Sequence, residues 1–163
     1  DDTDLPSTRG TGKLARDLAD YLGSRGAGMV RGITRHQLLL HPSIRYTSHN
    51  SAGCIVLDSY QEPAILSDVC NVFLKDNVVP GSDSGLVVTA RSWISSDVID
   101  FGNKAQTHLL SVEQANMAFP KRFVLVGALE SFALHLLFGA LGGLAAGTFL
   151  WLAVRSERGK VKA

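Results

Sequence analysis

Hydrophobic positions along this chain come in short runs of differing spacing as far as residue 122, and then in one long run over residues 123–154. Leu14, Leu18, Tyr21 and Leu22 recur at helical spacing and predict a short helix over 11–22, with Thr11 as its cap and Gly23 suited to the C′ position. Lys13 with Asp17, and Arg16 with Asp20, form i,i+4 pairs on its polar face. Glycines at 23, 26, 28 and 32 then interrupt any regular element. Residues 33–40 (ITRHQLLL) fit one or two helical turns before Pro42. Residues 54–57 (CIVL) fit a strand or buried extended segment. Pro63 suits a first helical position, and Ile65, Leu66, Val69, Cys70 and Phe73 give that helix an apolar face up to about Lys75. A turn over 81–85, a strand over 86–93 and a helix over 104–117 complete this part. Residues 1–10 are polar and broken by Pro6 and Gly10, a tail that is disordered or clamped by a partner.

The long run carries one formal charge, Glu130, and one histidine, His135, in 32 residues. A helix of that length would span roughly 48 Å against about 30 Å of bilayer hydrocarbon, so it predicts a membrane-spanning helix. Lys121 and Arg122 would mark one headgroup layer, and Trp151 with Arg155, Arg158, Lys160 and Lys162 the other. Within it, one residue in four is small or polar: Gly127, Ser131, His135, Gly139, Gly143 and Gly147. Removing Cβ at every fourth residue lets two backbones approach, so this overlapping GxxxG stripe predicts helix–helix contact in lipid. Glu130 and His135 lie about 140° apart at a spacing of five and share no face. Interfacial pairing of Glu130 and a hydrogen bond from His135 to a neighbouring helix suit them better than a proton relay or haem ligation.

The fold class expected is mostly α with a little β: a single C-terminal transmembrane helix plus a small or extended soluble region. Its segments are an N-terminal tail and short helix (1–23), an Arg-rich, acid-poor arm (24–53), a small α+β or extended region (54–119), the transmembrane helix (120–154) and a basic tail (155–163).

Charge sharpens this picture in one place. The net charge is +1, which favours neither nucleic acid nor an acidic partner in bulk. Yet from Tyr21 to Leu57 there is no Asp, Glu or Lys, while Arg25, Arg31, Arg35 and Arg45 occur with His36, His41 and His49. That composition is transit-like, and RYTS at 45–48 has the look of a processing site, although it is internal. An ordered basic arm against lipid headgroups or acidic neighbouring subunits is the functional reading, and a solvated loop the bland one.

Cys54 and Cys70 form no CxxC pair and have no histidine set at zinc spacing, so no metal site is expected. A Cys54–Cys70 disulfide would close a loop of about 15 residues and contribute roughly 3 kcal/mol in the entropy model. Two buried free thiols are the favoured state. The stretch Gly10-Thr11-Gly12-Lys13-Leu14 lacks the hydroxyl residue and the earlier glycine of a P-loop. Asp83-Ser84-Gly85 lacks the following Gly-Pro and the histidine context of a serine protease. No catalytic constellation emerges.

Taken together, the sequence predicts a non-catalytic, single-pass accessory subunit of a large energy-transducing complex of the mitochondrial inner membrane, respiratory chain or ATP synthase, without cofactor. Its expected partners are other membrane subunits and anionic lipids such as cardiolipin, and no nucleic acid. The rival reading is a type I surface or viral envelope-type protein with a small ectodomain.

Overall fold

The computed structural model describes residues 10–44, 50–80, 85–111, 114, 117 and 118, and the backbone of 124–127. Eight elements follow one another along them. Helix α1 is Thr11–Ser24, strands β1 and β2 are Met29–Gln37 and Ser51–Asp58, and helix α2 is Pro63–Asn77. Strand β3 is Gly85–Val88, a 3₁₀ turn covers Arg91–Trp93, helix α3 is Ser96–Ala105, and strand β4 is Val124–Gly127.

α1 forms where the leucine spacing places it, with Leu14, Leu18 and Leu22 all buried on one side. Its ends differ from the expectation. Gly10, not Thr11, is the N-cap, and its carbonyl accepts the Lys13 amide at 2.9 Å. At the other end Gly26, not Gly23, occupies C′ with φ +64°. The Ala27 amide donates to the Leu22 carbonyl and the Gly26 amide to the Gly23 carbonyl, both at 3.0 Å. These two bonds are the Schellman pair, and they turn the chain sharply out of α1 into β1.

β1 and β2 pair antiparallel, from Met29 opposite Asp58 to Gln37 opposite Ser51, with a register shift between Val30 and Gly32. Residues 33–37, expected as helical turns, are therefore strand. Beyond them the Leu38 amide closes the hairpin on the Asn50 carbonyl at 2.8 Å. Asn50 is itself buried, and its side-chain amide donates to the Leu39 carbonyl at 2.7 Å.

α1 lies across β1–β2, and α2 packs on α1 and on the β3–β4 pair. The core between them joins Leu14, Leu18 and Leu22 to Ile55, Leu57, Leu66, Phe73, Leu86 and Val88. Gly53 makes the close approach of α1 to β2 feasible, since a Cβ there would lie 3.1 Å from the Ala15 methyl. α3 starts eight residues earlier than the helix expected over 104–117 and stops at Ala105, while Gln114, Met117 and Ala118 are again helical. Ser95 caps it, accepting from the Val98 amide, while Val98, Phe101 and Ala105 are buried.

The expectation for the start of the long apolar run is overturned. Val124–Gly127, assigned to the start of a transmembrane helix, is a strand antiparallel to β3, with Gly127 opposite Gly85 and Val124 opposite Val88. Among the described residues no helix is long and apolar enough to cross a membrane. Among the described residues the class observed is α-helices packed on two antiparallel strand pairs, in place of the mostly α chain with a transmembrane helix that was expected. The single-pass location in the mitochondrial inner membrane that was expected rested on such a helix, and the described residues supply none. The error has a physical source: a short, continuous apolar run in a strand has no period that separates it from a helix, so it merged with the apolar residues after it. Of the proposed helix-packing stripe, Gly127 lies in β4, while Ser131, His135, Gly139, Gly143 and Gly147 lie outside the described residues. So do Arg45, Lys121, Arg122, Arg155, Arg158, Lys160 and Lys162.

Candidate functional site

The acid-poor arm becomes the turn out of α1 and the exposed strand β1, and this brings three of its arginines onto one unit of structure. Arg25 is the C-cap of α1, where the negative end of the helix dipole favours a cation. Its guanidinium stacks over the Tyr21 ring, 5.0 Å from the centroid, and Tyr21 leans in turn on Phe73 of α2 at 5.2 Å. Arg31 is the unmatched residue at the register shift of β1, and its Nε donates to Asp58 Oδ2 at 2.6 Å. Arg35 lies four residues, or about 13 Å, further along the strand. It pairs with Gly53 in register, and its Nε donates to Ser51 Oγ at 2.8 Å.

Each guanidinium is thus oriented by one internal contact while remaining in solvent. The Arg31 side chain keeps 54% of its exposure. Among the described residues the terminal nitrogens of Arg31 and Arg35 make no further hydrogen bond. The charges are not equivalent. Asp58 offsets the charge of Arg31 in part, through a single half-exposed contact, whereas among the described residues Arg35 meets only a hydroxyl. Oriented arginines with free N–H groups along a strand suit an anionic, oxygen-rich ligand such as a row of phosphates.

His36 does not add to that charge. It is 8% exposed, its Nε2 lies 2.8 Å from Thr34 Oγ1, and burial lowers its pKa from the ordinary 6.5. His41 accepts the Ser43 amide at Nδ1 and rounds off the turn after β1. The two cysteines are buried and free, Cys54 in β2 and Cys70 in α2. Burial pushes the Cys70 thiol up to about 12, which removes it as a nucleophile at neutral pH. Among the described residues no group of three His, Cys, Asp or Glu side chains gathers to hold a metal ion.

Two features were missed in the sequence. One is a groove of about 370 Å³ along α3, lined by Asp97, Asp100, Phe101, Lys104, Leu110 and Met117. It presents both signs of charge at exposed positions. The other is Tyr60, 85% exposed in the corner between β2 and α2. An aromatic residue set among polar neighbours before Pro63 (DSYQEP) was the available signal for it.

No family model matches the chain, and no curated protein matches its sequence. Solved structures do match. The fold is similar to that of TiaS, a tRNA agmatidine synthetase, in its apo form (TM-score 0.67, 20% identity, 87% of this chain and 33% of that one). It is similar to TiaS in complex with its tRNA and ATP (TM-score 0.69, 22% identity, 87% of this chain and 34% of that one). A third match is TiaS in complex with its tRNA, AMPCPP and agmatine (TM-score 0.65, 22% identity, 90% of this chain and 35% of that one). This chain spans about a third of the length of the structures it matches.

These likenesses correct further expectations. A non-catalytic accessory subunit of a respiratory or ATP synthase complex is contradicted, because the fold is one that a tRNA-modifying enzyme uses. The exclusion of nucleic acid as a partner is contradicted too, since two of the similar structures hold tRNA. That exclusion rested on the bulk charge of +1, while the acid-free stretch at 21–57 was assigned to lipid or acidic neighbours.

Proposed function

We propose that this chain is the RNA-facing portion of a tRNA-modifying, ATP-consuming enzyme of the kind its structural neighbours exemplify. The observation that carries this reading is a fold similar to TiaS across nearly nine-tenths of the chain, including TiaS bound to tRNA and ATP. The arginine line agrees with it. Arg25, Arg31 and Arg35 lie in a stretch without a single acid, and of the three only Arg31 meets a carboxylate among the described residues, that of Asp58, through Nε alone. The lipid and acidic-subunit contacts expected of the same arginines are replaced here by contacts to an RNA backbone.

The test is fluorescence anisotropy of labelled, unmodified tRNA across a salt series, followed by tRNA-dependent ATP consumption. Binding that weakens steeply with salt is the expected result. The absence of tRNA binding at low salt would overturn the reading.

A further inference from the structure

Among the described residues Tyr60 is the exposed aromatic that nothing in the core explains. Tyr21 and Phe73 contact each other, Phe73 and Phe101 are buried, and Tyr60 is 85% exposed. The corner that carries it is fixed. Ser59, one residue earlier, is 2% exposed; its hydroxyl donates to the Ala27 carbonyl at 2.5 Å and accepts the Gln61 amide at 3.1 Å. One hydroxyl therefore ties the exit of α1 to the entry of α2, and Pro63 sets the first turn of that helix. Tyr60 is held out on an anchored backbone, so little order remains to be gained when a flat partner covers its ring.

Two residues before it, Asp58 holds the Arg31 guanidinium by Nε. We propose that Tyr60 is a stacking platform for one unpaired base of the RNA, with Arg31 contacting the phosphate next to that base. This rests on the nucleic-acid reading above and adds its single-stranded element to it. Charge selects the base over a duplex backbone as the occupant. Asp58 and Glu62 flank Tyr60 in sequence, so the field at the ring is not strongly positive and cannot draw in several phosphates at once. A π-face needs no net charge to stack, and one oriented arginine suffices for one phosphate.

The experiment compares the wild-type chain, Tyr60→Ala, Tyr60→Phe and Arg31→Ala. The probes are a fluorescein-labelled short single-stranded RNA of mixed sequence and labelled tRNA, read by anisotropy with circular dichroism as the check on folding. Tyr60→Ala is expected to weaken binding of the short RNA by roughly 5- to 150-fold, and Tyr60→Phe to stay within about twofold of wild type. The salt slope should survive Tyr60→Ala, because stacking releases no counterion, and should fall by about one on Arg31→Ala. Wild-type affinity in Tyr60→Ala for both RNAs, with tRNA still bound, would overturn this proposal alone. Failure of the wild-type chain to bind either RNA would overturn the nucleic-acid reading and this proposal with it.

Discussion

β1 and β2 share one ladder of hydrogen bonds and almost nothing else. β2 is buried from Ser51 to Leu57 apart from a partly exposed Val56, and its residues are small or apolar until Asp58. β1 is exposed along most of its length, with His36 its one buried residue, and it carries Arg31, Thr34 and Arg35 outward from the core. One strand supplies packing and the other supplies chemistry. Because the two are registered residue against residue, the packing of β2 on α1 fixes where the arginines of β1 stand. Changes on β2 should therefore appear in stability, and changes on β1 in binding.

The largest effect should come from breaking the junction that lays β1 on β2. A Cβ at Gly28 would overlap the Asp58 carbonyl oxygen and would lie 2.9 Å from both Leu57 Cγ and Ser59 Cβ. Backbone atoms cannot swing aside, so Gly28→Ala should cost on the order of 3 kcal/mol or more, read as a lowered midpoint in urea unfolding. A full-stability Gly28→Ala variant would show that the junction is not closed as described. Next in size is the contrast between strands. Leu57→Ala empties a fully buried site packed on α1 and α2 and should cost about 2–5 kcal/mol. Ile33→Ala, at a β1 position 38% exposed, should cost roughly 1 kcal/mol. Equal losses would erase the division between the strands.

The arginines invert that pattern. Arg31→Ala removes an exposed ion pair with Asp58, a kind of contact worth less than about 1 kcal/mol to folding. Arg35→Ala removes one hydrogen bond to Ser51 and should be similarly mild. For tRNA binding each should lower the salt slope by about one. Arg35→Ala should weaken affinity more than Arg31→Ala, because no carboxylate holds Arg35. A variant pair that unfolds but binds normally when folded would show the arginines to be structural.

Three elements of this architecture were legible in the sequence, and the elements that were not failed for different reasons. α1 and α2 each bury a face whose apolar residues recur at helical spacing, Leu14, Leu18 and Leu22, then Leu66, Cys70 and Phe73, and β2 is marked by a continuous apolar run, Cys54 to Leu57. β1 buries almost nothing, and the register shift at Arg31 breaks its alternation, so no hydrophobic signal marked it as a strand. α3 was recoverable from Ser95 followed by Val98, Phe101 and Ala105, a cap and a buried face that the Lys104–Met117 pattern outweighed. β4 was hidden for the opposite reason, since four apolar residues at the head of a long apolar run carry no boundary of their own. In the candidate site, the arginines were legible as a gap in acidic residues. Their partners, Tyr21, Asp58 and Ser51, were not, because two of those three contacts depend on how β1 registers with β2. Tyr60 escaped because an exposed ring has no periodicity at all.

The smallest effect expected tests the one buried ionisable group on β1. Burial holds the His36 pKa below 6.5, the value it regains on unfolding. Over the interval between those two values the unfolded chain binds a proton that the folded chain does not, so stability there rises with pH. Above 6.5 both states are neutral at His36 and its full contribution is present. As pH falls through 6.5 towards the lower folded value that contribution is lost, and it levels off once the folded imidazole is itself protonated. Urea midpoints measured from pH about 7 down to about 5 should therefore fall for the wild type and fall less for His36→Asn. If both chains gave the same pH profile, His36 would be as solvated as the rest of β1, and the division between a buried and an exposed strand would hold there without exception.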